Sequence, residues 1–409
     1  MRLLNTKTLK LEEFYPPVRQ KYGILSHRWG NPSDEVLFEH FENKIHTQKK
    51  AWSKIEQYCK IANKANFAYV WVDTCCIDKR SSTELQEAIN SMFKWYKESA
   101  MCHVFMEDVN GLAKLEKSVW FRRGWTLQEL LAPQFETFYD QSWKILGTRQ
   151  SLAKRIENAT GIEMRYLNGD NTFEGASVAM KMHWASSRAT TRPEDRAYSL
   201  LGIFGVSLSI IYGEGEKAFE RLQEEIIKSS DDQSLFAWDA KVGGGYRRML
   251  APSPDVFGRK DMINRSTFVM EMLRRIPSAP DNQDTQKSNL GVRMYLPVSL
   301  LSDVRVKKVG KCPTTHQYVL EVDGRKYTTT ITLDPSEVTA TTCKGGCKKD
   351  SPPLFIGLLN CSTPSEGTVF IIIRKIMGRS KRYEKVYIPG YCFTKMAVQE
   401  YGFNVLFIQ

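Results

Sequence analysis

Two residues four apart in the stretch GWTLQELLAP, Trp125 and Glu129, are of types that do chemistry together. On a helix advancing ~100° per residue, Leu127, Leu130 and Leu131 share one face. Trp125 and Glu129 then fall side by side on the opposite face. A helix built only for packing would group its tryptophan with its leucines. An indole beside a carboxylate can stack on a ligand while the carboxylate stabilises positive charge developing there. The plainer readings are a solvated Glu129 pairing with Arg122 or Arg123, and a Trp125 that caps the edge of a core.

Such a pair works only if other elements bring it to a crevice. The first 140 residues alternate short apolar runs with long amphipathic segments, the pattern of βαβ units. YGILS (22–26), FAYVWVD (67–73), MCHVFME (101–107) and FETFYD (135–140) read as strands. Their nearly continuous apolar character predicts a parallel sheet covered on both faces, with YGILS central. A helix around Ile55, Tyr58, Cys59 and Ala62 is expected between the first two strands. A second carries Leu85, Ile89, Met92, Phe93 and Tyr96, with Ser81 and Glu84 as a capping box. The segment SVWFRRGWTLQELLA is expected to form the third, stopped by Pro133. Open parallel sheets bind ligands beyond the carboxyl ends of their strands. That rule selects Ser26, His27, Arg28 and Trp29 after the first strand and Asp73 after the second as crevice-lining residues.

Composition narrows the classes. The 409 residues carry a net charge of +12, yet residues 1–240 hold 32 basic and 32 acidic side chains, so the excess lies in 241–409. From about 245 the texture becomes strand-like and basic, which predicts a smaller β-rich second domain. Its basic runs, KKVGKC, CKGGCKK and GRSKRYEK, lack interleaved aromatic rings and read as solvated loops rather than a nucleic-acid face. The nine cysteines are odd in number and scattered, which fits a reducing compartment better than a disulfide framework. Cys343 and Cys347 have no second pair nearby, so no metal site is expected. Cys75 with His27 offers the pairing of a thiol hydrolase, but Cys75 follows a buried strand and reads as a packing residue. GEGE (213–216) is no phosphate cradle, because its glutamates repel phosphate and no lysine follows in the required place. The opening stretch has no long apolar run of a secretion signal, and no segment reads as a membrane span, so a cytoplasmic protein is expected.

The chain also resembles a known family, the HET (heterokaryon incompatibility) domain of filamentous fungi. The resemblance is carried by MRLLNTKTLKLEEF, YGILSHRWG, WVDTCCIDKRSSTELQEAINSMFKWYKES, FRRGWTLQELLAP, TTRPEDRAYSLLGIFGV and IIYGEGEKAFERLQEEIIKSSDDQSLFAW. It covers residues 1–240, with a core at about 20–145, a helical extension at about 146–240, and the basic β-rich part at 241–409 beyond it. HET domains in turn resemble TIR domains: GILSHRW is similar to the first TIR strand and its following loop, YVWVD to the second strand, and WTLQEL to the stretch bearing the glutamate of NAD-cleaving TIR domains. The resemblance implies a TIR-like, flavodoxin-like α/β fold. It also implies a cell-death effector of self/non-self recognition that hydrolyses NAD to nicotinamide and ADP-ribose.

On that reading Glu129 takes the catalytic role. Ser26, His27, Arg28, Trp29, Asp73 and Trp125 bind substrate, with Arg28 on the diphosphate. NAD enters as substrate and no resident cofactor is implied. Partners are expected through self-association or a protein regulator. Two alternatives stand beside it: a non-enzymatic TIR-like adaptor acting by assembly, and a binder of nucleic acid or anionic surfaces through the basic C-terminal part.

Overall fold

In the computed structural model, residues 1–15, 18, 20–170, 172–238 and 250–258 are described in full, together with the backbone of strands between Asn264 and Ile408. The chain divides into two compact units, one of Met1–Gly175 with Ser187–Gly215 and one of Ala176–Ser186 with Glu216–Gln409. The division falls earlier in the chain than the change in charge at residue 240 and is discontinuous in sequence.

The first unit is built on a seven-stranded sheet. Its strands are β1 (Arg2–Asn5), β2 (Leu11–Glu13), β3 (Tyr22–His27), β4 (Tyr69–Trp71), β5 (Met101–Phe105), β6 (Glu136–Tyr139) and β7 (Ile145–Thr148), in the spatial order β2-β1-β4-β3-β5-β6-β7. The middle four are mutually parallel. β1 and β2 at one edge and β7 at the other add antiparallel pairs. The sheet is thus mixed and mostly parallel, whereas the sequence predicted its parallel centre alone. YGILS is central, with Ile24 opposite Trp71 on one side and Cys102 on the other. All six residues of β3 are buried, which is why its run has no polar alternation.

Four helices lie between the parallel strands: α1 (Phe38–Glu42), α2 (Trp52–Lys64), α3 (Ser82–Glu98) and α4 (Thr126–Leu131). α2 buries Ile55, Tyr58, Cys59 and Ala62, the stripe its periodicity predicts. α3 buries Ala88, Ile89, Met92 and Tyr96, while Leu85 and Phe93 are half-buried. Only half of the expected capping box forms. Ser81 accepts from the Glu84 N–H at 3.3 Å, but the Glu84 carboxylate turns to Arg2 and to the Asp78 N–H, the latter at 2.8 Å.

The third helix departs furthest from expectation. Residues 112–122 form two 3₁₀ segments, and the α-helix is only the six residues of α4, every one of them buried. A helix buried all round has no solvent face, so the two-faced reading of GWTLQELLAP does not apply to it. Its entry is fixed by a backbone crossing in which Gly124 donates to the Ala189 carbonyl at 2.9 Å. A Cβ on Gly124 would stand 2.4 Å from the Thr190 methyl, so only glycine allows this approach.

In the second unit, a helix at Val178–Ser186 is capped at its start by the Asp232 carboxylate and the Ser234 hydroxyl, which accept from the Val178 and Ala179 N–H groups at 2.9 Å each. Further on, the backbone of Gly291–Leu300 pairs antiparallel with Leu354–Thr363 and with Phe403–Ile408. The expected strand FVMEML, the pair Cys343 and Cys347, and the runs KKVGKC and CKGGCKK lie wholly or largely outside the described residues.

Candidate functional site

The spatial order reverses between β4 and β5 on either side of β3, and such a switch point opens a crevice at the carboxyl ends of the strands. Ser26 and His27 end β3, and Asp73 lies two residues past β4. α4 brings Glu129 to the same place. The Ser26 hydroxyl donates to Glu129 Oε2 at 2.5 Å and accepts from the Trp120 indole N–H at 2.9 Å. Because an indole can only donate, the serine proton has one direction left, toward the carboxyl. Tyr96, whose hydroxyl donates to the Leu25 carbonyl at 3.2 Å, is a further hydrogen-bonding neighbour of Glu129.

Glu129 is only 6% exposed. Burial, followed by the negative charge of Asp73, pushes its carboxyl up to about 8; the bonds from Ser26 and Tyr96 and the charge of Arg123 oppose the rise. Buried Arg188 lies in the same field. It bonds the Arg123 carbonyl at 3.1 Å and the Thr126 hydroxyl at 3.0 Å, at the start of α4. The helix is held at its other end by Arg149, whose guanidinium donates to the carbonyls of Leu130 at 2.8 Å and Pro133 at 2.9 Å and approaches Glu136 at 3.5 Å.

A second group of side chains adjoins the first. The Trp29 indole donates to Asp73 Oδ2 at 2.7 Å, Lys79 Nζ sits 3.5 Å from the centre of the Trp29 ring, and His27 Nδ1 is 3.7 Å from Asp73 Oδ1. His27 is held well below the usual imidazole range, first by burial and then by the charges of Lys54, Arg123 and Lys79. It is therefore neutral at physiological pH. Burial likewise raises Asp73, against the pull of Lys79 and the Trp29 bond.

The structure brings Ser26, His27, Trp29, Asp73 and Glu129 together and leaves two of the expected residues apart. Arg28 is exposed. Trp125 is half-buried at the start of α4, and its indole is a hydrogen-bond partner of Asp195 rather than a neighbour of Glu129. The aromatic ring at the Ser26–Glu129 contact is Trp120. Sequence reasoning also missed Lys79, Tyr96 and Arg188. Lys79 had a signal, since it lies in the loop leaving β4; Trp120, in a 3₁₀ turn, and Arg188, distant in sequence, had none. The Cys75 thiol is fully buried and raised well above its ordinary range, chiefly by its bond with Cys76, so it is no nucleophile. Among the described residues, no group of three or more His, Cys, Asp or Glu could hold a metal ion, and no helix is long and apolar enough to cross a membrane.

A mostly parallel α/β sheet with a polar cluster at its switch point is the class of domain that this geometry defines. Residues 22–112 match the family described as Heterokaryon incompatibility protein (HET), and residues 217–247 match a domain of unknown function, DUF8212. The chain is 45% identical over 226 residues to the Vegetative incompatibility protein HET-E-1 of Podospora anserina, across 52% of this chain and 16% of that protein. The match is thus confined to part of each chain and spans less than a fifth of that relative's length. No solved structure matches it. The matched family segment contains Ser26, His27, Trp29, Asp73 and Lys79, while Glu129 lies beyond it.

Proposed function

We propose that this chain is a cell-death effector of self/non-self recognition that hydrolyses NAD to nicotinamide and ADP-ribose through a TIR-like site. The observation that carries this reading is the buried Glu129 carboxyl at the carboxyl end of β3, 2.5 Å from Ser26. When the bond between nicotinamide and ribose breaks, the pyridinium leaves as a neutral molecule, so no acid is needed to protonate it. The ribose carbon becomes oxocarbenium-like, and a fixed carboxylate beside it stabilises that charge. Water then adds to the same carbon and loses a proton.

The elevated proton affinity of Glu129 suits this sequence. A cationic nicotinamide ring entering beside the carboxyl favours its ionised form, so substrate binding itself creates the charge that the transition state uses. Ser26 keeps the carboxylate oriented, and Trp120 fixes Ser26. The test is direct: the purified protein is incubated with NAD and released nicotinamide is measured. Release that vanishes in Glu129→Gln supports the reading; no release from folded, active-in-cells protein overturns it.

A second reading has its own observation. Glu129 is nearly enclosed and already bonded, as a core residue would be. In that case the domain is a non-enzymatic adaptor acting by assembly, and Glu129→Gln leaves cell killing intact with NAD unchanged.

A further inference from the structure

The chain passes between its two compact units at three points: Gly175 to Ala176, Ser186 to Ser187, and Gly215 to Glu216. The last two both lead to the start of α4. At the first of these, the helix Val178–Ser186 ends and Arg188 follows after a single residue. The Arg188 guanidinium donates to the Arg123 carbonyl at 3.1 Å and to the Thr126 hydroxyl at 3.0 Å. That hydroxyl in turn donates to the Trp120 carbonyl at 2.6 Å. Ala189 adds two backbone bonds, donating to the Arg122 carbonyl at 2.7 Å and accepting from the Gly124 N–H at 2.9 Å.

The other crossing, at Gly215, is tied to the same place by a different route. The N–H groups of Gly213 and Gly215 donate to one oxygen of Glu194, at 2.7 and 3.0 Å. The neighbouring Tyr212 hydroxyl donates to Asp195 at 3.0 Å, and Asp195 is the hydrogen-bond partner of the Trp125 indole. Trp125 and Thr126, the first residues of α4, are thus each held by a segment that runs on into the second unit. Glu129 lies one helical turn further along.

Within the second unit both crossings enter helices. The helix Val178–Ser186 is capped by Asp232 and Ser234, and its His183 bonds the Phe257 carbonyl at 3.0 Å. The helix Lys217–Ser229 begins two residues after Gly215 and buries Phe219, Leu222 and Ile226. That helix and both capping residues fall in the segment 217–247 matched to the domain of unknown function. Packed helices shift as units. Ser187 alone separates Ser186 from Arg188, and two Cα steps reach about 7 Å at most, so the connection has little slack. Hydrogen bonds are lost beyond about 3.5 Å, so a small displacement at Ser186 suffices to release Arg188 from α4.

We infer that the second unit controls the placement of Glu129, with Arg188 and Asp195 as the positioning residues through which it acts on the start of α4. The segment 217–247 thereby gains a regulatory role, and Trp125 becomes an anchor of α4. Any effect on NAD cleavage rests on the proposed function; the link between the second unit and α4 does not.

The test is hydrogen exchange of the purified protein, read peptide by peptide by mass spectrometry. Asp232→Ala removes the cap of Val178–Ser186 and should speed exchange about threefold or more both there and in α4, with α2 unchanged. Asp232→Asn, which keeps an acceptor oxygen, should restore most of the original pattern. Flexible Gly-Ser-Gly-Ser spacers inserted at Ser186–Ser187 and at Gly215–Glu216 should abolish the response of α4 to Asp232→Ala and keep that of Val178–Ser186. An α4 that ignores Asp232→Ala, responds no more than α2, or still responds through both spacers overturns the link. Nicotinamide release should fall with Asp232→Ala in the natural chain and be indifferent to it in the spaced one. Release indifferent to Asp232→Ala in the natural chain, while α4 responds, overturns control of Glu129 and retains the proposed function. No release from any chain, with the exchange pattern as expected, rejects the proposed function and retains the link.

Discussion

Ser26 and Glu129 are 103 positions apart in the chain and 2.5 Å apart in the fold, joined by a hydrogen bond that the Trp120 indole orients. Three elements meet there: the end of β3, the 3₁₀ turn before α4, and α4 itself. Four predictions test what this meeting does.

Glu129→Gln keeps the side chain's size and its bond from Ser26 but removes the charge. Losing one such electrostatic contribution costs ~2.7–4 kcal/mol, about 10²–10³ in rate. NAD cleavage should fall by that factor while the melting temperature at neutral pH holds, since the amide, like the protonated carboxyl, is neutral when buried. Wild-type cleavage by the variant would remove Glu129 from the mechanism.

The pH dependence follows from the carboxyl's rise to about 8. The carboxylate is the active form, so kcat/KM should climb with pH and level off above about 8. Stability should move the other way. The folded state holds the proton to higher pH than the unfolded chain, so this group's contribution is full at low pH and is lost as pH rises through the folded value. Glu136, also pushed up to about 8 by burial, adds a second slope of the same sign. Chemical denaturation from pH 5 to 9 should show a decline, shallower in Glu129→Gln; an identical slope in that variant would contradict the assignment.

Ser26→Ala removes an acceptor from Trp120 and a donor from Glu129. A buried indole N–H left unpaired costs about 1–3 kcal/mol, measurable by urea titration. The bond from Ser26 lowers the Glu129 proton affinity, so its loss should also shift the rising limb of the pH profile to higher pH. A residue that only packs would change stability and leave the limb in place.

Arg149→Met should be the most damaging of the set to the fold. It leaves the buried Leu130 and Pro133 carbonyls without their charged donor. Each buried acceptor left unpaired costs about 1–3 kcal/mol. Arg149→Lys should not rescue it, because one ammonium cannot reach the several acceptors that the planar guanidinium spans. Near-native stability for either variant would show that α4 is held by packing alone.

The centre of the sheet was legible in the sequence because burial on both faces leaves a strand no polar position, as in YGILS and MCHVF. The stripe of α2 was legible because one face alone is buried, which stamps a period on the residues. The placement of Ser26 and His27 at the end of β3 and of Asp73 just past β4 followed from the apolar runs that mark those strands. The antiparallel edges were not legible, since strands of three or four residues carry too little pattern.

Only the tertiary structure decided which aromatic ring stands at Glu129. Trp120 and Trp125 are both tryptophans near the start of the same short helix, and local spacing favours Trp125. The choice depends on what lies opposite each. Asp195, from far along the chain, draws the Trp125 indole away, and Ser26 receives that of Trp120. A hydrogen bond across such a separation leaves no period in the sequence, because its partners are brought together by the packing of whole elements and not by the spacing of residues within one.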